Sequence, residues 1–171
     1  MLKTANPSGA GMLRIAGGAR AARSVRKPVI TVLHIDDDPN DTMLLQAATR
    51  KAAVEFMLHN VEDGEAAIDY LSGEGMYADR NRFQLPSLIL LDLKMPRATG
   101  FEVLRWIRNH PELGNLPVVV LSGSELQEDI RHAYSVGANS YLVKPLGFDA
   151  LVTLVKSIDA VWLSANQQPM L

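Results

Sequence analysis

Three aspartates in succession, Asp36, Asp37 and Asp38, stop a run of β-branched and apolar residues, and Asp92 stops another. Further along, Ser122 ends an apolar run over 116–121, and Lys144 ends a shorter one over 140–143, with Pro145 directly after it. Carboxylates brought together repel. Two of them ~4 Å apart cost roughly 4 kcal/mol at an effective dielectric near 20, so a cluster needs a counter-charge or must take up protons. A hard cation such as Mg²⁺ supplies that charge through carboxylate and phosphate oxygens, and a lysine ammonium adds a second positive point suited to phosphate. A carboxylate can also act as a nucleophile and form an aspartyl phosphate. If these run ends meet in space, they make a phosphoryl-transfer site. Mg²⁺, Lys144, and Ser122 with nearby backbone N–H groups would then each hold one oxygen of the transferring group. Asp92 is the expected nucleophile, because it stands alone at the end of the most apolar run. The adjacent Asp36 and Asp37 suit a metal and its waters. Asp38 reads as a helix cap ahead of Pro39, and Asp41 as no more than a first-turn acid.

The elements that must position these residues alternate in kind. Short apolar runs predict strands over 29–35, 54–61, 87–93, 116–121 and 140–143, and longer periodic stretches predict helices over 40–53, 65–71, 100–109, 125–136 and 148–163. Between the second helix and the third strand lies a polar loop over 72–86. Five strands alternating with five helices call for a doubly wound, mainly parallel five-stranded sheet covered on both faces. In such a fold the reactive edge lies at the carboxyl ends of the strands, near the point where strand order reverses. All the residues above fall at such ends.

Helix faces can be read the same way. The expected inward stripes are Met43, Leu44, Ala47 and Ala48 on the first helix, and Phe101, Leu104 and Ile107 on the third. On the fourth they are Leu126, Ile130, Ala133 and Tyr134. The last helix offers Phe148, Leu151, Val155, Ile158 and Trp162. Val152, Leu154, Val161 and Leu163 widen its apolar arc to roughly 200°, beyond the ~100° that one core face needs, which predicts a partner on that helix. His34, inside the first strand, is expected to be a hydrogen-bonded core histidine rather than a ligand.

The chain has 171 residues, an apolar share of 47%, and no cysteine, so disulfides, thiolate metal sites and cysteine nucleophiles are excluded. No stretch has the ~20 apolar residues needed to span a bilayer. Residues 1–27 carry Lys3, Arg14, Arg20, Arg23, Arg26 and Lys27 and no acid. The remainder therefore has 11 basic residues against 19 acids, a net charge of −8, which argues against a nucleic-acid surface. The expected organisation is a disordered basic lead-in over 1–27, one domain over 28–164 and a short tail over 165–171, with a cytoplasmic location. A transit peptide is the alternative for the lead-in, weakened by its Gly and Pro content.

The blocks VLHIDDDPND, LILLDLKMPRATG, VVVLSGS and NSYLVKP, in this order and spacing, resemble the receiver domain of two-component response regulators. The nearest likeness is to stand-alone receivers associated with cyanobacterial and bacterial phytochromes. The resemblance covers about 29–163 and implies a flavodoxin-like (βα)₅ fold in three layers. It implies that Asp92 accepts a phosphoryl group from a sensor histidine kinase with Mg²⁺ as cofactor. The same resemblance makes Asp37 a direct ligand, Asp36 a ligand through water and Lys94 a ligand through its backbone carbonyl. Ser122 becomes the switch hydroxyl, Tyr141 the switch aromatic and Lys144 the phosphate-binding lysine, with Pro145 at a cis-peptide site. Two departures stand out. Thr99 replaces an aspartate before Gly100, and the Lys94 side chain stands at the mouth of the site, where it affects phosphate lifetime.

With no segment for an output domain after the last helix, the signal is expected to leave through a surface. The resemblance places that surface on the fourth helix, fifth strand and fifth helix, and a homodimer through it is expected. Two rivals remain. One is a phosphorylation-independent scaffold of the same fold. The other is a haloacid-dehalogenase-like phosphatase, which wants a second acid two residues after the nucleophile, where this chain has Lys94.

Overall fold

The computed structural model describes residues 30–96 and 98–165. The expected 1–27 lead-in, and all but the first residue of the expected 165–171 tail, lie outside the described residues. Five strands, β1 (Thr31–Ile35), β2 (Met57–Val61), β3 (Leu88–Leu91), β4 (Val118–Ser122) and β5 (Ser140–Val143), pair in the order β2-β1-β3-β4-β5. Every pair is parallel. The helices are α1 (Pro39–Ala52), α2 (Gly64–Ser72), α3 (Gly100–Asn109), α4 (Gln127–Val136) and α5 (Phe148–Ile158). A π-helical turn, Asp159–Ser164, continues α5, where the sequence predicts one unbroken helix. The chain steps outward from β1 to β2, then returns past β1 to β3. This reversal is the crevice where α/β sheets gather ligands. The doubly wound parallel sheet expected from the alternation of elements is the fold observed.

Side chains alternate across the sheet, as the two-residue strand period requires. Leu33, Ile35, Ile89, Leu91, Val118 and Val120 face a cluster with Ala67 and Tyr70 of α2, Val103, Leu104 and Ile107 of α3, and Ala133 of α4. Val32, Leu88, Leu90, Val119 and Leu121 face the other layer, built by Leu45 and Ala48 of α1 with Val152, Val155 and Ile158 of α5. The inner strands are buried on both faces, which is why they read as continuous apolar runs.

Three expected helix faces need correction. On α1, Met43 and Leu44 point to solvent, 67% and 47% exposed, while Leu45, Ala48 and Thr49 turn inward. The capped start sets the phase of this helix: Asp38 accepts from the Asn40 amide and Pro39 opens the first turn. On α4, Ala133 is fully buried but Leu126 and Tyr134 are exposed, so that helix sits shallowly on the sheet. On α5, Val152 is core, and Leu154 and Leu163 pack against the cluster that α1 completes. The surplus apolar arc is thus largely covered from within by α1, and Val161 and Phe148 are the large apolar residues of this segment that stay open.

The long loop between α2 and β3 is stapled rather than loose. Arg80 donates to the carbonyls of Tyr70, Leu71 and Phe83, at 2.7, 2.6 and 3.2 Å. The rings of His59, Tyr70, Tyr77 and Phe83 form one aromatic cluster beneath it, with centroids 5.1 to 5.9 Å apart. Burial pushes the Tyr70 phenol up to about 12, and its hydroxyl donates to the Gln84 carbonyl.

Candidate functional site

The ladder runs one residue beyond the strands and carries the acidic residues with it. Asp36 N donates to the Val61 carbonyl, Asp92 N to the Ile35 carbonyl and Lys144 N to the Ser122 carbonyl. Backbone pairing therefore sets the first residues after β1, β3 and β5 side by side at one edge. One carboxylate oxygen from each of Asp36, Asp37 and Asp92 lies within 4.8 Å of the others. Asp36 and Asp92 are 1% and 7% exposed, and Asp37 is more open. At that spacing each pair of charges repels by about 3 kcal/mol at an effective dielectric near 20.

Lys144 answers this repulsion. Its Nζ lies 2.7 Å from Asp36 Oδ2, 2.7 Å from Asp41 Oδ2 and 3.0 Å from Asp92 Oδ2. Burial alone would lower the lysine pKa, but bonds to Asp36 and Asp41 outweigh it and hold the ammonium well above its ordinary range. Burial alone would likewise raise the Asp36 carboxyl. Bonds from His34, Lys144 and the Asp38 amide bring it down instead, to about 2. Asp92 is aimed by its own backbone, as its Oδ1 accepts from the Leu93 amide at 2.6 Å and the Lys94 amide at 3.3 Å.

The loop after Asp92 is held close by Gly100, whose amide donates to the Leu93 carbonyl. A Cβ at Gly100 would lie 2.1 Å from the Asp92 carbonyl oxygen, so only glycine lets α3 start there. Thr99 then caps α3 in a reciprocal box with Glu102.

Ser122 ends β4 fully buried, and its hydroxyl has no hydrogen-bond partner. Tyr141 feels that hydroxyl only as a near neighbour. Its own hydroxyl donates to the Ser124 carbonyl at 2.9 Å, and burial raises its phenol above the ordinary value. Lys94, two residues after Asp92, is exposed.

The donor set fits a divalent cation and an anion together. Three hard oxygen ligands converge, an ammonium stands beside them, and an orphaned buried hydroxyl faces no protein acceptor. Asp36, Asp37, Asp92 and Lys144 are thus brought together as the sequence predicts, and Ser122 closes the strand beside Lys144. Two expectations are corrected. No described peptide bond is cis, so the Lys144–Pro145 bond is trans, the form a proline amide prefers by ≈ 0.5–1 kcal/mol, and Lys144 reaches the carboxylates without the isomer. Asp41 is not merely a first-turn acid but a partner of Lys144. Its signal was its place three residues past the Asp38 cap, where a helical Cβ tilts back toward the N-terminal end and the strand edge. His34 is a core histidine as expected, bonded through Nδ1 to Asn60, and its Nε2 also reaches Asp36 at 3.3 Å.

Among the described residues no helix is long and apolar enough to cross a membrane. Residues 32–156 match the family described as the response regulator receiver domain. Response regulator RPA3017 in red light signaling of R. palustris has a crystal structure that superposes with a TM-score of 0.80 at 36% identity, covering 84% of this chain and all of that one. The phosphorylated cyanobacterial phytochrome response regulator RcpA gives 0.76 at 37% identity, over 83% and 99% of the two chains. Response regulator Rcp1 of Synechocystis is 34% identical over 83% of this chain and 95% of its own. The Mn²⁺-bound form of Rcp1 superposes with a TM-score of 0.73 over 82% and 99%. Sheet order, an acidic edge with its lysine, and these likenesses agree: this chain belongs to the response-regulator receiver family of two-component signalling and is homologous to single-domain phytochrome response regulators.

Proposed function

We propose that this receiver takes a phosphoryl group from a sensor histidine kinase onto Asp92. Asp36, Asp37, Asp92 and the Lys94 backbone carbonyl would hold Mg²⁺. The observation that carries this reading is the Lys144 ammonium placed within 3.0 Å of Asp92 and 2.7 Å of Asp36. A carboxylate so aimed is a ready nucleophile. An Asp92 oxygen attacks phosphorus, the P–O bond forms, and the bond to the donor's imidazole nitrogen breaks with its electron pair leaving on the imidazole. Lys144 turns from carboxylate to phosphoryl oxygen, and the Ser122 hydroxyl gains the acceptor it lacks. A bound divalent cation neutralises the carboxylates and the charge building on the transferring oxygens. The protein catalyses only its own phosphorylation and dephosphorylation. The Lys94 ammonium at the mouth sets how long the phosphate lasts, and the site works in the cytoplasm.

The output follows from the same residues. Tyr141 and Ser122 shift with the phosphate and bias the placement of α4, which is shallowly seated. Leu126, Tyr134, Val143, Leu146 and Phe148, all exposed, supply an apolar surface on α4, β5 and the start of α5. That surface mediates a phosphorylation-linked homodimer. The relatives described as phytochrome response regulators support a photoreceptor kinase as the donor.

Incubation with acetyl phosphate and Mg²⁺, followed by intact mass, tests the reaction. The mass rises by one phosphate in the native protein and not in Asp92→Asn; a rise that survives the substitution refutes the assignment. Light scattering tests the output, which predicts a larger particle with phosphate than without, and an unchanged monomer rejects the dimer.

A further inference from the structure

An ammonium has three N–H donors, and Lys144 commits them to three carboxylates, Asp36, Asp41 and Asp92. Two of the three belong to the trio whose oxygens could hold a cation, and Asp41 does not. We propose that Asp41 is a positioning residue for phosphoryl transfer: it anchors the Lys144 ammonium on the α1 side while the remaining donors turn to the phosphoryl group on Asp92. This deepens the phosphoacceptor reading and rests on it.

The geometry separates Asp41 from an ordinary helix acid. The start of α1 is already satisfied, because the Asp38 side chain caps it and Pro39 fills the first position. The Asp41 carboxylate instead spans 103 residues of sequence to Lys144 at 2.7 Å. Its side chain is 36% exposed against 0% for Asp36, so it meets the ammonium from the solvent side while Asp36 meets it from within. During transfer an Asp92 oxygen bonds to phosphorus as the donor bond breaks, and negative charge moves toward the Asp92 side. Asp36 and Asp92 are then engaged with cation and phosphoryl group, and Asp41 is the carboxylate still free to hold the ammonium. Without that anchor the lysine stem, with four rotatable bonds, has to find the phosphoryl oxygen unaided.

The test uses the full chain with Asp41→Ala and Asp41→Asn, acetyl phosphate as donor and graded Mg²⁺. At saturating Mg²⁺, Asp41→Ala is phosphorylated roughly tenfold more slowly, the size of one charge-assisted hydrogen bond. Asp41→Asn, which keeps an acceptor oxygen, recovers part of that rate. A second measurement needs neither metal nor phosphate: the slowly exchanging Lys144 ammonium signal in ¹⁵N-resolved NMR, assigned by its loss in Lys144→Met, broadens in metal-free Asp41→Ala. A native rate in both variants overturns the proposal. So does a slowing that vanishes once Mg²⁺ is raised, or an ammonium signal unchanged in Asp41→Ala. If Asp41→Ala fails to melt cooperatively, Asp41→Asn alone decides, with a native rate and native ammonium signal as the contrary result. Failure of the native protein to take up phosphate would sink the phosphoacceptor reading instead, and the metal-free NMR comparison would still report on the Asp41 anchor.

Discussion

Replacing Lys144 by methionine keeps the stem and removes the charge, which isolates the electrostatic role of this residue. In the native protein one ammonium faces three carboxylates at 2.7, 2.7 and 3.0 Å. Removing one partner of a buried ion pair costs 3–5 kcal/mol. Lys144 is 19% exposed and Asp41 36%, so solvent screens part of the interaction. The carboxylates left behind also gain relief by taking up protons, and a loss of about 3 kcal/mol in chelator follows. The lysine pKa is raised on folding, so its contribution is fully present below 10.5 and lost as pH rises above that value. Neutral buffer is thus the right condition. Mg²⁺ should then substitute for the missing charge. A ligand at a hundredfold excess over its Kd adds about 2.7 kcal/mol, and with no ammonium competing for Asp36 and Asp92 the variant should bind Mg²⁺ more tightly than the native protein, so that Mg²⁺ narrows the deficit. Urea unfolding with and without Mg²⁺, together with calorimetric Mg²⁺ titration, measures both quantities. A deficit that is the same in chelator and in Mg²⁺, with Mg²⁺ bound no more tightly by the variant than by the native protein, would show that the ammonium and the cation do not compete for these carboxylates.

Other expectations follow from neighbouring features. Gly100→Ala places a Cβ 2.1 Å from the Asp92 carbonyl oxygen and 2.8 Å from Leu93 Cα; backbone must move, costing about 2 kcal/mol in urea unfolding, and an unchanged midpoint would contradict the close approach. Burial, with Arg82 nearby, lowers the His59 pKa below 6.5, so its contribution is full above 6.5 and stability falls as pH drops below it. His59→Phe should flatten that fall, and an identical slope in both proteins would count against it. Tyr141→Phe deletes the bond to the Ser124 carbonyl; a loss of about 1 kcal/mol with faster amide exchange over 123–127 is expected, against no change at either.

Much of this architecture was legible because it follows from local rules. Strand runs such as the one ending at Asp92 are apolar throughout, and the sheet buries both their faces. Helix α3 falls over 100–109, where its apolar spacing puts it, while the Thr99–Glu102 capping box at its start emerges only in the structure. The acidic trio and Lys144 were legible because parallel sheets gather strand ends at one edge. Helix faces were less so. Met43 and Leu44 look inward by composition, yet the Asp38–Pro39 start turns Leu45 to the core instead, a phase that apolar spacing alone does not set. The width of the apolar arc on α5 was visible, but its cover by α1 depends on which helices share a layer. Asp41 looks ordinary in the sequence, because first-turn acids are common helix features. Only the three-dimensional position of Lys144, 103 residues later, separates its role from theirs.

A crystal structure with Mg²⁺ and beryllium fluoride would show whether the strand ends assemble a cation beside one reactive carboxylate. The beryllium is expected on an Asp92 oxygen, with fluorine atoms bonded by Lys144 Nζ and Ser122 Oγ, and Mg²⁺ on Asp36, Asp37 and Asp92. Beryllium fluoride bound elsewhere, or a Lys144 that stays on Asp36 and Asp92 without touching it, would rule out Asp92 as the phosphoryl acceptor of such a site.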